Sequence, residues 1–328
     1  MTSASQPIEK YFVAYLLDGK GGASTLDVSQ VAAWRPGEGL LWVHLNYTNS
    51  QDQKWLTESS TLDNLVVEAL LAEETRPRTT AIGEGLLIAL RGVNHTPGAD
   101  PDDMVAIRIW IDKERVITTR KRDLLSISDL VENLESGRGP TSAAEFLGEL
   151  VDRLVWRMSD TVDQFEDRVA DIEERVLESN SSTIRYELAT LRRQAITLRR
   201  YLAPQREALA RLIGEKVDWI DEGSRLKMRE VSDRLIRHIE DLDAVRERAT
   251  VTQEELLSRL SEQLNKRMYV LSVVAAIFLP LGFLTGLLGI NVGGIPGSDY
   301  ALAFWVFVAI IVGIIAFQLI LFRWKKWL

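Results

Sequence analysis

The residues of this chain that suggest chemistry gather near its C-terminal end. Gly289-Ile290-Asn291 closes an uncharged apolar run, and Asn265, Met268, Ser272, Ala275, Leu279, Gly282 and Gly286 lead up to it at intervals of three or four residues. An asparagine in a glycine-rich turn at the end of such a run stands where a pore would have its mouth. The stripe behind it fits two roles equally, since small residues in membrane helices mark close helix contacts and also suit a pore wall. Other chemistry is scarce. There is no Cys, which removes disulfides, thiolate metal sites and cysteine nucleophiles. The three histidines, His44, His95 and His238, are too far apart for a His-x-x-x-His zinc pattern and read as ordinary buried or surface residues. Gly19, Gly21 and Gly22 surround Lys20 but lack the Gly-Lys-Ser/Thr ending of a phosphate loop, so a turn is expected there. No nucleophile-base pair and no cofactor motif stands out, so the chain reads as neither an enzyme nor a cofactor binder.

The elements that hold the stripe are two apolar runs, Tyr269 to Ile290 and Ala301 to Phe322, of 22 residues each. As helices they are about 33 Å long, enough to cross a bilayer core of about 30 Å. Lys266 and Arg267 precede the first run, Arg323, Lys325 and Lys326 follow the second, and the loop between has neither Lys nor Arg. Basic residues stay on the cytoplasmic side of short membrane segments, so both termini are expected in the cytoplasm. Tyr269, Trp324 and Trp327 then mark one interface and Tyr300 and Trp305 the other. The opening MTSASQPIEKYF has no basic segment followed by an apolar core, so no cleaved signal is expected. The second run is apolar all round except for Gln318 and reads as lipid-facing.

Upstream, residues 1–140 alternate short strands with amphipathic helices. FVAYLL (12–17), LLWVHL (40–45), GLLIALRGV (85–93), MVAIRIWI (104–111) and RVITT (115–119) read as strands, and 51–58, 62–73 and 123–134 as helices. Residues 141–222 read as an antiparallel pair of charged helices broken at Ser179–Ser182. The first, 141–180, has 11 acidic residues against 4 Arg, which suits a solvated face. From 223 to 290 a stalk helix is expected to continue unbroken into the first span, 269–290, followed by a loop at 291–300, the second span at 301–322 and a basic tail at 323–328. Met228, Val231, Leu235, Leu242, Val245, Ala249, Thr252 and Leu256 form a seam of three-four spacing along the stalk. A helix this long exceeds what 140 residues can bury, so self-association about that seam is expected. The fold class is an α+β membrane protein, with an N-terminal α/β domain, a long stalk and two C-terminal spans. A net charge of -8 and a pI near 5.2 point away from nucleic-acid partners.

This order of elements, with FLPLGFLTGLLGIN closing the first span, resembles the CorA metal-ion transporter family over essentially the whole chain. The family's mark is Gly-Met-Asn, which stands here as Gly289-Ile290-Asn291. That departure, the GGIPG after it, and AEETRPR (72–78), GEGLLIALRGVN (83–94) and RRYLAPQRE (199–207) are similar to the zinc-transporting ZntB branch. The resemblance implies a homopentameric funnel in a bacterial inner membrane, with five first spans around one pore. It places Asn291 at the periplasmic entrance and Gly286, Gly282, Leu279, Met268 and Asn265 below it. A ring of amide and carbonyl oxygens there would hold a hydrated ion without stripping its tightly bound water. Gly289 would let the backbone approach the axis, and Leu279 and Met268 would make apolar constrictions. The cargo implied is Zn²⁺, entering with the proton gradient, although outward movement is also associated with the branch; Mg²⁺, Co²⁺, Ni²⁺ and Cd²⁺ are further candidates. Asp299 at the mouth and Glu254 on the stalk are candidate metal contacts, and either of them, with Glu255, Glu262 or His238, is a candidate proton carrier. For the stalk groups a solvated charge is the favoured reading, and for Asp299 a plain loop aspartate is an equal one.

Two other classes fit the same residues. One is a CorA-type Mg²⁺/Co²⁺ channel gated by intracellular metal held between carboxylates of Glu145 to Glu178. The other is a membrane-anchored coiled-coil scaffold that moves no ion.

Overall fold

The structure, a computed structural model, describes residues 12–178, 182–289, 297 and 300–325, and the side chains of these except 178, 182 and 288. Its elements in chain order are β1 (Phe12–Leu17), β2 (Ala23–Leu26), α1 (Val28–Ala33), β3 (Leu40–Asn46), α2 (Ser50–Glu58), α3 (Asn64–Leu71), β4 (Arg78–Ile82), β5 (Gly85–Val93), β6 (Met104–Ile111) and β7 (Arg115–Arg120). Five helices follow: α4 (Leu125–Glu135), α5 (Ala143–Glu178), α6 (Ser182–Gly214), α7 (Glu222–Leu288) and α8 (Ala303–Trp324). The chain divides into two compact units, 1–253 and 254–328, and α7 belongs to both.

The seven strands form one sheet in the order β2-β1-β3-β7-β6-β5-β4, antiparallel throughout except for the parallel pair β3 and β7. β3, β5 and β6 are almost continuously buried, as strands covered on both faces must be. One face packs Val43, Leu45, Leu87, Trp110 and Ile117 against Leu56 of α2 and Val66, Val67 and Leu70 of α3. On the other, Trp42 meets Phe146 of α5 edge-on with ring centroids 5.0 Å apart. β2, β4 and α1 are elements that the apolar pattern does not announce. ASTL and RTTAI are polar, as befits the two edge strands, and α1 is a six-residue helix fixed by a capping box between Asp27 and Gln30. Gly19, Gly21 and Gly22 do form a turn: Asp18 accepts from the backbone N–H of Lys20 and Gly22, and Gly21 has a φ of 100°.

The second long helix, α6, ends at Gly214, short of the bound at 222 expected for the helix pair. Residues 215–221 cross to α7, whose first turn is capped by Asp221 through the Ser224 backbone N–H at 2.9 Å. Arg225 ties the crossing down, donating to the carbonyls of Ile213 and Val217.

The stalk seam calls for a correction. Met228, Val231, Leu235, Leu242, Val245, Ala249, Thr252 and Leu256 are all buried within the single chain, so self-association is not what covers them. For the seam residues of the first unit, Met228 to Thr252, the cover comes from α5 and α6, whose own apolar faces, including Leu154, Phe165, Val169, Leu191 and Leu198, are buried as completely. Polar contacts run alongside: Arg234 to Asp152 at 2.8 Å, Arg248 to Glu173 at 2.5 Å and Arg199 to Asp243 at 2.7 Å. Two helices of 36 and 33 residues supply the apolar surface that the α/β portion lacks. Part of the acidity of α5 is matched in this packing, because Asp152 and Glu173 face arginines of α7, and Glu187 of α6 shares Arg175 with Asp171. The rest of the acidic face is as expected, with Asp160, Asp163, Asp167 and Glu174 exposed.

Candidate ion pathway

The stripe that points to Gly289 lies on α7 within the second unit. Asn265, Met268, Ser272, Ala275, Leu279, Gly282 and Gly286 are all exposed on the single chain, Leu279 at 72% and Met268 at 60%. The half-buried residues of the same stretch are Val273, Ala276, Ile277, Leu281 and Leu284. At 3.6 residues per turn the two sets fall on roughly opposite sides of the helix. The half-buried set marks the α8 side, since Gln318 of α8 donates to the Ala276 carbonyl at 3.2 Å. The chain's own second span thus leaves the small and polar stripe bare.

Along that stripe the polar groups are quiet. Ser272 Oγ turns back to the Met268 carbonyl at 2.8 Å, and off the stripe Thr285 Oγ1 does the same to Leu281 at 2.9 Å. Gly282 and Gly286 have open space where a Cβ would stand, so they leave room on the exposed face. Gly289 differs: its N–H bonds the Thr285 carbonyl at 2.9 Å, and a Cβ there would lie 2.7 Å from that oxygen, closer than side chains tolerate. The end of α7 is built for glycine. Ile290, Asn291 and Asp299 lie outside the described residues.

The second span proves two-sided. Its half-buried residues, among them Phe307, Ile311, Ile314, Ile315 and Leu321, share a face with Gln318 and the buried Phe322. Only the remainder is exposed, so the expectation of a uniformly lipid-facing helix gives way to one with a packed seam. Both helices are long and apolar enough to cross a membrane.

The charged candidates on the stalk sit apart from one another. Glu254 is exposed, Glu255 pairs with Arg259 at 2.8 Å and Glu262 with Lys266 at 3.3 Å. Among the described residues, no three His, Cys, Asp or Glu side chains converge on a point that would hold a metal ion. His238 is buried with Nε2 3.3 Å from Ser159 Oγ, and burial holds its pKa below the ordinary value. His44 is buried between Thr118 Oγ1, 2.7 Å from Nδ1, and Arg120, whose Nε donates to Nε2 at 2.8 Å. Burial, and then the Arg120 charge, push its pKa down to about 3. Both are neutral core histidines. The Arg120 and Thr118 contacts join residues more than seventy positions apart and have no local signal in sequence.

The family model described as CorA-like Mg²⁺ transporter protein matches residues 37–325. The chain belongs to that family. It is 41% identical over 324 residues to the divalent cation transporter CmaX of Pseudomonas aeruginosa, with 96% of each chain covered. It is 38% identical over 315 residues to the zinc transport protein ZntB of Yersinia enterocolitica, covering 96% of this chain and 95% of the other. Among solved structures, full-length CmaX superposes with a TM-score of 0.85 at 39% identity, covering 98% of this chain and all (100%) of that one. The CorA magnesium transporter of Methanocaldococcus jannaschii superposes over both whole chains, 100% of each, with a TM-score of 0.83 at 17% identity, a likeness of fold alone. The α/β portion, the long helix and the two apolar C-terminal helices are the family's architecture, and the protein is a membrane protein.

Proposed function

We propose that this protein is a divalent cation transporter whose physiological cargo is Zn²⁺, carried inward through a central pore of a homopentamer in a bacterial inner membrane. The observation that carries this reading is the bare stripe of α7: five small or polar residues with Met268 and Leu279 among them, leading in sequence to Gly289-Ile290-Asn291, on the side of the first span that α8 leaves uncovered. A membrane helix does not turn Ser272, Gly282 and Gly286 toward lipid while packing Val273, Ile277 and Leu281 inward unless something else meets that face. Symmetric copies of the same helix meet it at once and enclose a path. The names of the relatives, a divalent cation transporter and a zinc transport protein, support the cargo class and the choice of zinc respectively.

In this reading a ring of Asn291 carboxamides, framed by Gly289 and Ile290, receives the ion with its water shell intact. Hydrogen bonds from water to amide oxygen select a compact, strongly hydrated cation without binding it tightly. Gly286 and Gly282 keep the next turns wide. Leu279 and Met268 narrow the path with apolar rings that close it by dewetting, and Asn265 receives the ion on the cytoplasmic side. The stripe has no carboxylate, so protons coupled to transport bind outside it, at Asp299 or at stalk groups such as Glu254. Both termini lie in the cytoplasm.

The test is flux in proteoliposomes holding the full chain. The expected results are Zn²⁺ uptake that rises with an inward proton gradient, and its abolition in Asn291→Ala with particle mass unchanged. Undiminished flux in Asn291→Ala would overturn the filter assignment. Uptake indifferent to pH would remove proton coupling, and Mg²⁺ outcompeting Zn²⁺ would make the protein a CorA-type magnesium channel.

A further inference from the structure

Pro280 stands inside the long helix α7, in the turn that carries Leu279. A proline has no N–H, so the carbonyl four residues earlier loses its helical donor, and the ring crowds that carbonyl as well. Here the deprived carbonyl is that of Ala276. In water such a group finds a solvent partner, but within a bilayer it must be satisfied by protein. The Ala276 carbonyl does have a donor, and a distant one: Gln318 Nε2 of α8, 42 residues away and 3.2 Å off. Gln318 is the one carboxamide in the otherwise apolar stretch 303–322, and it lies on the half-buried face of α8. A polar side chain at that depth is costly to keep unless it has such a task. Its Oε1 is buried and accepts no hydrogen bond from the described residues, so the side chain is engaged through the amide nitrogen toward Ala276.

We infer that Gln318 is a positioning residue: it supplies, from the second span, the backbone hydrogen bond that Pro280 removes from the first, and so pins α8 to α7 beside Leu279. Val273, Ile277 and Leu281 on the same side of α7 contribute only shape to the contact between the spans, whereas the carboxamide fixes register and distance. A break in the backbone ladder concentrates bending at one turn, and whatever holds the loose carbonyl sets the bend. Displacing α8 at Gln318 therefore alters where Leu279 stands. This last step rests on the pore reading proposed above; the hydrogen bond and its origin in Pro280 do not.

The experiment is a double-mutant cycle in the full-length protein, with Gln318→Met, Pro280→Ala and both together. Equilibrium unfolding in mixed micelles is read first and divalent cation flux in proteoliposomes second. Pro280→Ala restores the N–H and makes the carboxamide redundant. Gln318→Met should weaken the folding equilibrium about threefold when Pro280 is present, the average for a side-chain hydrogen bond in a membrane protein, and leave it unchanged in the Pro280→Ala background. Equal losses in both backgrounds, or none in either, overturn the inference. If Gln318→Met does not assemble, Gln318→Asn, whose shorter arm cannot reach the carbonyl, takes its place in the same cycle. In the flux arm, Gln318→Met should alter conduction and Pro280→Ala should reverse the change. A flux defect that Pro280→Ala leaves uncorrected overturns the link to Leu279. Absence of transport in the parent protein would remove the pore reading while the unfolding cycle still decides the hydrogen bond.

Discussion

Replacing Leu242 with alanine separates a seam that is covered within one chain from a seam that joins copies. Leu242 is 1% exposed, midway along the stretch of α7 that α5 and α6 cover, and close in sequence to Asp243, which pairs with Arg199 of α6. Truncating a fully buried leucine removes its transfer free energy and leaves a cavity that rigid helices fill only in part, which together cost about 3 kcal/mol. For a cooperative unit the size of residues 1–253, each kcal/mol lowers the melting temperature by about 2–4 °C, so a fall of about 6–12 °C is expected. The assay is thermal unfolding of the full chain in detergent by far-ultraviolet circular dichroism, with particle mass measured by light scattering. Mass should be unchanged below the transition. Leu264→Ala serves as the contrast: Leu264 is 61% exposed on the single chain, beyond the covered stretch, and its truncation should leave the transition of the first unit where it was. If Leu242→Ala instead melted within about 2 °C of the parent and fell apart into smaller particles, the seam would be intermolecular and the three-helix packing wrong.

Acid should act on this fold through two buried groups of opposite sign. His44, held down to about 3, contributes stability that is complete above its unfolded value of 6.5 and is lost as pH falls below it, about 2 kcal/mol by pH 5. Asp52, pushed up to about 6 by burial, works the other way: its ionisation costs stability above pH 6, and the cost fades as pH falls toward 3.8. The whole protein therefore shows a muted slope between pH 7 and 5, whereas melting curves of Asp52→Asn should expose the full histidine loss and those of His44→Gln the aspartate gain. Equal slopes in all three proteins would contradict both assignments. Gly289→Ala should reduce flux while leaving mass intact, because the added Cβ meets the Thr285 carbonyl at 2.7 Å and the last turn must reshape at a cost of about 1–3 kcal/mol.

Much of this architecture is legible along the chain because each signal is local. β1, β5 and β6 carry apolar runs bounded by turn residues, and their ends fall where those residues stand. The two spans are legible for the same reason, since a bilayer asks for length and hydrophobicity that any window of sequence displays. β2, β4 and α1 are not, because edge strands bury little and a six-residue helix depends on one capping pair. The acidity of α5 is visible in composition, but its partners Arg234 and Arg248 are 82 and 75 residues away.

For the stripe of α7 the division is similar. Residue types and three-four spacing determine by themselves that Asn265, Met268, Leu279, Gly282 and Gly286 share one side of a membrane helix leading to Gly289, because helical geometry is fixed by the backbone. Which side the partner helix takes depends on contacts across a turn of chain, and only the folded pair α7 and α8 puts Ala276 against Gln318 and leaves the stripe uncovered. The same holds for the stalk seam: periodicity specifies an apolar face, but hydrophobic burial has no direction, so nothing short of the tertiary structure could decide that α5 and α6 cover it rather than another copy of α7.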